Sequence, residues 1–271
     1  MLKQRIITGV ILAPVAVAGV VFLQGAWFAL FIGLIVTLGA WEWARLAGEA
    51  GQKGRVIYAA AIAILMIGLY RDSWALPYVM VPAVTWWLYA AGLVVRYPAS
   101  KPLLQGQLIC QLYGLLVLLP AWYGLVWLHA QPSGLWLILV LVITVWAADI
   151  GAYFAGKGFG KRKLMPAVSP GKTLEGLLGG VVLTQLLTLA LLLTLGWQFQ
   201  AIIMALLGTL LVVLFSVLGD LNESLFKREQ GIKDSSNLLP GHGGILDRID
   251  SLTAAIPVFA LGWWLIGSLL A

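Results

Sequence analysis

The chain is poor in charge and poorer still in cysteine. Asp, Glu, Lys and Arg make up 10% of its 271 residues, where a soluble domain carries roughly 25%, so most of the surface is not built for water. Cys110 stands alone. An intrachain disulfide is therefore excluded, as is a structural zinc site that needs a cysteine pair. A single cysteine in an apolar run is expected to act as a small buried hydrophobe. Internal repeats and low-complexity linkers are also missing, which argues for one domain over 1–271.

Apolar residues fill the space that charge leaves. Hydrophobic residues reach 61%, with 13 Trp, a residue that favours membrane interfaces. A bilayer core takes about 20 apolar residues per helix. Runs near that length occupy 6–23, 26–44, 56–70, 75–95, 108–129, 134–154, 174–196, 201–219 and 252–271. They are continuous, whereas a membrane barrel needs short alternating strands, and helices satisfy their own backbone in lipid. The expectation is an all-α, polytopic integral membrane protein of about nine transmembrane helices. The first run follows Lys3 and Arg5. It is too long for a signal-peptide core and is taken as a retained helix.

Basic residues set the orientation. With a cytoplasmic N-terminus, every Lys and Arg except Arg71 falls on the inner side. The net charge of +6 then needs no nucleic acid to explain it. Acidic residues contribute little to topology, yet eight of the 11 lie between Asp149 and Asp250. We therefore divide the single membrane domain into 1–130, mainly scaffold and lipid-facing spans, and 131–271, a catalytic portion with cytoplasmic loops 155–173 and 220–251.

Four groups of residues could carry chemistry. Asp220, Glu223, Ser224 and Lys227 share one face if the eighth helix continues past its apolar run; a solvated helix end with local ion pairs is the plain alternative. Leu239-Pro240-Gly241-His242-Gly243-Gly244 is a tight turn that exposes backbone N–H groups, to which a phosphate can come close. His242 would donate to that phosphate or hydrogen-bond within its own loop. Asp247 and Asp250 sit at i, i+3 where the ninth span begins. Hard oxygen ligands of this kind suit Mg²⁺ completed by waters and phosphates, while a helix N-terminus favours acids in any case. Asp149, close to the end of the sixth span, is costly in lipid and so a candidate functional group, with a structural pairing to Lys172 as the alternative.

After Asp149 comes a loop rich in glycine and lysine, Gly156-Lys157-Gly158-Phe159-Gly160-Lys161-Arg162-Lys163, then Ser169-Pro170-Gly171-Lys172-Thr173-Leu174-Glu175-Gly176. This composition suits polyphosphate, although positive-inside charge accounts for lysines too. Gly171-Lys172-Thr173 is not a P-loop, since Pro166 stands where the first glycine is needed and no βαβ context exists. Gly176 and Gly180 make a small-residue pair suited to close helix packing, with a homodimer as the weaker meaning.

The stretch SLFKREQGIKDSSNLLPGHGGILDRID, Ser224 to Asp250, resembles the signature of phosphatidate cytidylyltransferases, the CDP-diacylglycerol synthases. The matching positions are Ser224, Lys227, Arg228, Lys233, Asp234, Pro240, His242, Gly243, Gly244, Asp247, Arg248 and Asp250. GDLNES at 219–224, SPGKTLEG at 169–176, ADIGAYFAG at 148–156 and LKQRIITG near the N-terminus look like family segments as well. Lys157 departs from the arginine expected there, which keeps the charge and loses bidentate phosphate binding.

The resemblance implies CTP and phosphatidate as substrates, CDP-diacylglycerol and pyrophosphate as products, and Mg²⁺ as cofactor with a second cation such as K⁺. It implies a catalytic set of Asp220, Lys227, Arg228, Asp247 and Asp250, with Asp220, Asp247 and Asp250 as metal ligands. Substrate contacts would come from Asp149, Ser169, Lys172, Thr173, Glu175, Glu223, Ser224, Lys233, Asp234, His242, Gly243, Gly244 and Arg248. A bacterial-type inner membrane, with the site on its cytoplasmic side, follows as the location. The competing classes are a CTP-using lipid kinase, a CDP-alcohol phosphotransferase and a transporter. The phosphotransferase pattern of acids on one helix is not found, and transporters usually show repeated halves with midplane sites.

Overall fold

The computed structural model describes the backbone over residues 2–72 and 76–270 and side chains over 8–71 and 76–266. The side chains of Lys3, Arg5 and the first part of LKQRIITG lie outside the described residues. Among the described residues the chain forms nine α-helices: α1 (Leu2–Phe22), α2 (Gly25–Leu46), α3 (Gln52–Asp72), α4 (Leu76–Val95), α5 (Gln107–His129), α6 (Gly134–Phe159), α7 (Leu174–Thr194), α8 (Phe199–Glu229) and α9 (Leu246–Leu270). A two-stranded antiparallel hairpin, β1 (Lys163–Met165) with β2 (Ser169–Thr173), interrupts them between α6 and α7. Eight helices are long and apolar enough to cross a membrane, and the described apolar part of α1 is Thr8–Phe22. The all-α class and the polytopic membrane character are as the hydrophobic runs predict.

Aromatic residues fill the centre. Trp43 of α2, Trp87 of α4 and Phe226 of α8 are fully buried, and the Trp43 and Phe226 rings lie 4.9 Å apart. Cys110 is buried as expected, its thiol donating to the Leu104 carbonyl at 3.1 Å. Outward positions such as Trp27, Ile57, Ile64, Leu88 and Leu186 are exposed, as helices surrounded by lipid require.

Two helix pairs build the C-terminal half, α6 with α7 and α8 with α9. A Cβ on Gly151 would lie 2.6 Å from the Gly179 carbonyl oxygen, and one on Gly180 2.6 Å from that of Ala148. Gly176 similarly faces the Ala152 carbonyl. The small residues of α7 are thus occupied by α6 of the same chain. In the other pair, a Cβ on Gly219 would strike the carbonyl oxygen of Asp250. That close approach sets Asp220 beside Asp250.

α8 does not stop where its apolar run ends. Its 31 residues span about 46 Å at 1.5 Å per residue, against a hydrocarbon core of about 30 Å. The last turns therefore project from the span and carry Asp220, Glu223, Ser224 and Lys227. α9 begins at Leu246, so half of the polar stretch 220–251 is two helix ends and the other half is the connector 230–245.

Candidate active site

Lys227 forms the buried heart of the site. Its ammonium lies 2.7 Å from Asp247 Oδ1 and 3.2 Å from Glu223 Oε1, with all three side chains under one-tenth exposed. The first contact is a hydrogen bond. The second is an ion pair without hydrogen-bond alignment, since neither Glu223 oxygen has a hydrogen-bonding partner. The other Asp247 oxygen, Oδ2, accepts from Ser235 N–H at 2.9 Å, Ser235 Oγ at 2.9 Å and Gly244 N–H at 2.7 Å. Asp247 is thus saturated by donors from its own neighbourhood. A Cβ on Gly243, whose φ is +82°, would come within 2.7 Å of that oxygen. The glycine pair is there for close approach to a carboxylate of the chain.

Glu42, on α2, completes this buried set and was not among the residues singled out from the sequence. It is fully buried. It accepts from the hydroxyls of Ser235 and Ser236 and from the backbone N–H groups of Ile245 (2.9 Å) and Leu246 (2.7 Å). Arg45 donates from one turn further along α2 to the Ser235 carbonyl at 3.2 Å. Thr8 of α1 donates to the Pro240 carbonyl at 2.9 Å. The N-terminal half therefore holds the 230–245 connector in place. The available signal was an acid inside an apolar span, the same signal that marks Asp149.

A second, open cluster lies alongside. Lys172, at the end of the hairpin, meets Asp220 Oδ2 at 2.7 Å with side-chain exposures of 25% and 32%. Ser224 donates to the other Asp220 oxygen at 3.2 Å. Asp149 is exposed on α6, and its charged neighbours are Lys172 and Asp220. Asp250 has Asp220, Lys227 and Lys172 as charged neighbours and accepts from the Ser251 N–H at 2.7 Å. It also lines a small cavity, shared with Asn222 and Glu223. Asp149, Lys172, Asp220, Ser224 and Asp250 are thus brought together from α6, β2, α8 and α9.

The remaining predicted residues are distributed around these clusters. Thr173 caps α7 by accepting from Gly176 N–H at 3.1 Å. Glu175 accepts from the N–H groups of Lys161 and Arg162 and from Arg162 Nε, at 3.0, 3.1 and 3.0 Å, and so clamps the Lys161–Arg162 loop segment. Arg228 donates to the Val168 carbonyl at 3.2 Å, tying α8 to the hairpin turn. Ser169 starts β2 and is half-buried, whereas Lys233, Asp234 and Arg248 are exposed. His242 has a buried Nδ1 with no hydrogen-bonding partner. Gly244 packs against Ser235 and Glu42.

The donor chemistry suits Mg²⁺, which takes a few carboxylate oxygens and completes its shell with water and phosphate. Asp220 is one-third exposed and so has room for further partners, while Asp250 borders a cavity of about 10 Å³, the size of a single water. Asp247 has neither. Among the described residues no three His, Cys, Asp or Glu side chains stand close enough to hold a metal ion on their own.

The model of a family described as the cytidylyltransferase family matches residues 3–266. A phosphatidate cytidylyltransferase of Pseudomonas aeruginosa is 57% identical over 267 residues, covering 98% of each chain. One of Haemophilus influenzae is 39% identical over 289 residues, covering 96% of this chain and 98% of the relative. One of Staphylococcus aureus is 47% identical over 131 residues, about half of each chain.

Proposed function

The chain belongs to the cytidylyltransferase family, and from that premise we propose that it makes CDP-diacylglycerol and pyrophosphate from CTP and phosphatidate. The observation that carries the site assignment is the partly exposed Lys172–Asp220 pair, set beside Asp149 and Asp250 and close to the buried Lys227–Asp247 pair. It offers an ammonium and unsaturated carboxylates within reach of a ligand, on elements fixed by buried neighbours.

The reaction asks for alignment and charge neutralisation. A phosphate oxygen of phosphatidate attacks the α-phosphorus of CTP. The bond from that phosphorus to the bridging oxygen breaks, and its electron pair leaves with pyrophosphate. A phosphate monoester has its second pKa near 6, so its attacking oxygen carries a lone pair at neutral pH and no side-chain base is required. Lys172 exchanges its Asp220 partner for a phosphate oxygen. The exposed Lys233 and Arg248 draw the triphosphate toward the site. Asp220 and Asp250 would hold Mg²⁺, which when bound supplies neutralisation of phosphate charge. Asp149 lies among the exposed apolar residues Trp146, Ile150 and Tyr153 of α6, which suits a headgroup arriving from the bilayer side.

The site lies on the cytoplasmic side of a bacterial inner membrane in this proposal, supported by the basic residues that gather on one side of the sequence-derived topology. Single cysteines placed at exposed positions 158 or 237 should react only with reagents applied from the cytoplasm. Reaction from outside would invert the orientation. For the activity, purified protein given CTP, phosphatidate and Mg²⁺ should form CDP-diacylglycerol with equimolar pyrophosphate, and excess EDTA should stop it. A phosphorylated lipid with release of CDP would instead assign a lipid kinase. Turnover unaffected by EDTA would remove the metal.

A further inference from the structure

We propose that Glu42 is a positioning residue for this site: from α2 it sets the Asp247 carboxylate and the first turn of α9. The inference rests on the functional assignment above for its rate effects and on geometry alone for the arrangement itself.

A carboxylate buried in an apolar helix bundle is costly unless its oxygens are filled, and those of Glu42 are. The side chain is 0% exposed, with three donors of its own and a fourth, the Ser235 hydroxyl, shared with Asp247. Two of them are the N–H groups of Ile245 and Leu246, at the start of α9 where backbone donors have no helical partner. A cap of this kind normally comes from a residue just before the helix. Here it comes from more than two hundred residues away, so α9 is anchored to α2 at the end that bears Asp247 and Asp250. The negative charge also faces the positive end of the helix.

Ser235 joins the two carboxylates. Its hydroxyl oxygen is 3.2 Å from Glu42 Oε2 and 2.9 Å from Asp247 Oδ2, and its N–H donates to Asp247 at 2.9 Å. A hydroxyl has one proton to give, so it donates to one carboxylate at a time. Gly244 fits beneath because it lacks a side chain; a Cβ there would strike Ser235 Oγ and lie 2.5 Å from Glu42 Oε1. Displacing Glu42 therefore moves Ser235, Gly244 and Asp247 together, and with Asp247 goes the alignment of Lys227. Glutamine keeps the size of Glu42 but offers a single acceptor oxygen, and it turns an NH₂ group toward donors.

The test compares Glu42→Gln and Ser235→Ala with the wild-type chain, purified in full. It reads kcat and KM for CTP, the thermal unfolding midpoint, and amide hydrogen exchange across 235–246. A positioning role predicts a fall in kcat of about 30-fold or more for Glu42→Gln, with KM for CTP within about threefold, as misplacement of reacting groups by about 1 Å costs on the order of 100-fold. Ser235→Ala, a milder change, should lose about tenfold in kcat with an unfolding midpoint close to wild type. Both should exchange the 235–246 amides faster. Wild-type kcat per folded molecule in both variants would overturn the proposal, whatever happens to their midpoints. If Glu42→Gln does not fold, Ser235→Ala decides by the same criterion. If the wild-type chain makes no CDP-diacylglycerol, the functional assignment fails on its own. Exchange at 235–246 then decides for Glu42, with unchanged protection in Glu42→Gln overturning it.

Discussion

Two lysines of this chain each meet an aspartate at 2.7 Å, and the resemblance ends there. Lys227 and Asp247 are 9% and 5% exposed, with Glu223 on the other side of the ammonium and three further donors on the aspartate. Lys172 and Asp220 are 25% and 32% exposed, and Asp220 takes one further donor, Ser224. The bond length is the same, yet the environment gives the pairs opposite uses. A desolvated pair resists change, because removing one member strands a charge. A half-hydrated pair is weak and easily exchanged for another partner. The closed pair holds the site and the open pair is free to serve a phosphate.

The largest expected effect belongs to the closed pair. Lys227→Met leaves Glu223 and Asp247 buried without their cation and should destabilise the protein by about 3–5 kcal/mol. The variant should accumulate poorly or unfold at a much lower temperature. Wild-type thermal stability in this variant would erase the distinction between the pairs. Next come Lys172→Gln and Asp250→Asn, which should insert and unfold like wild type yet lose about 100-fold or more in rate, roughly 2.7 kcal/mol of transition-state stabilisation. Stability lost in step with rate would make the open cluster structural too. Glu175→Gln loosens a clamp whose Arg162 partner is 69% exposed, so about 1 kcal/mol of stability or less is at stake, read by thermal unfolding. Lys53→Gln, on an exposed helix start, should stay within about 0.5 kcal/mol and keep full activity.

The residues of both pairs were legible in the sequence; the contrast between them was not, and that has a physical cause. The i, i+3, i+4, i+7 stripe of Asp220, Glu223, Ser224 and Lys227 depends on local helix geometry alone, and α8 does run through it. The i, i+3 spacing of Asp247 and Asp250 was equally plain. What spacing does not give is that one would be filled by Ser235 and Gly244 while the other faces a cavity, because those neighbours are tertiary. The hairpin at 163–173 is too short, and too rich in Pro and Gly, to leave a strand pattern. Glu42 was missed for the strongest form of the same reason, since each of its four partners lies about two hundred residues away.

The most direct measurement follows the label of CTP into lipid. Wild-type protein is supplied with phosphatidate, Mg²⁺ and CTP carrying ³²P at either the α or the γ position. Attack at the α-phosphorus predicts that the α label appears in the lipid product and that the γ label leaves entirely as pyrophosphate. Lipid labelled from the γ position would contradict cytidylyl transfer at this site.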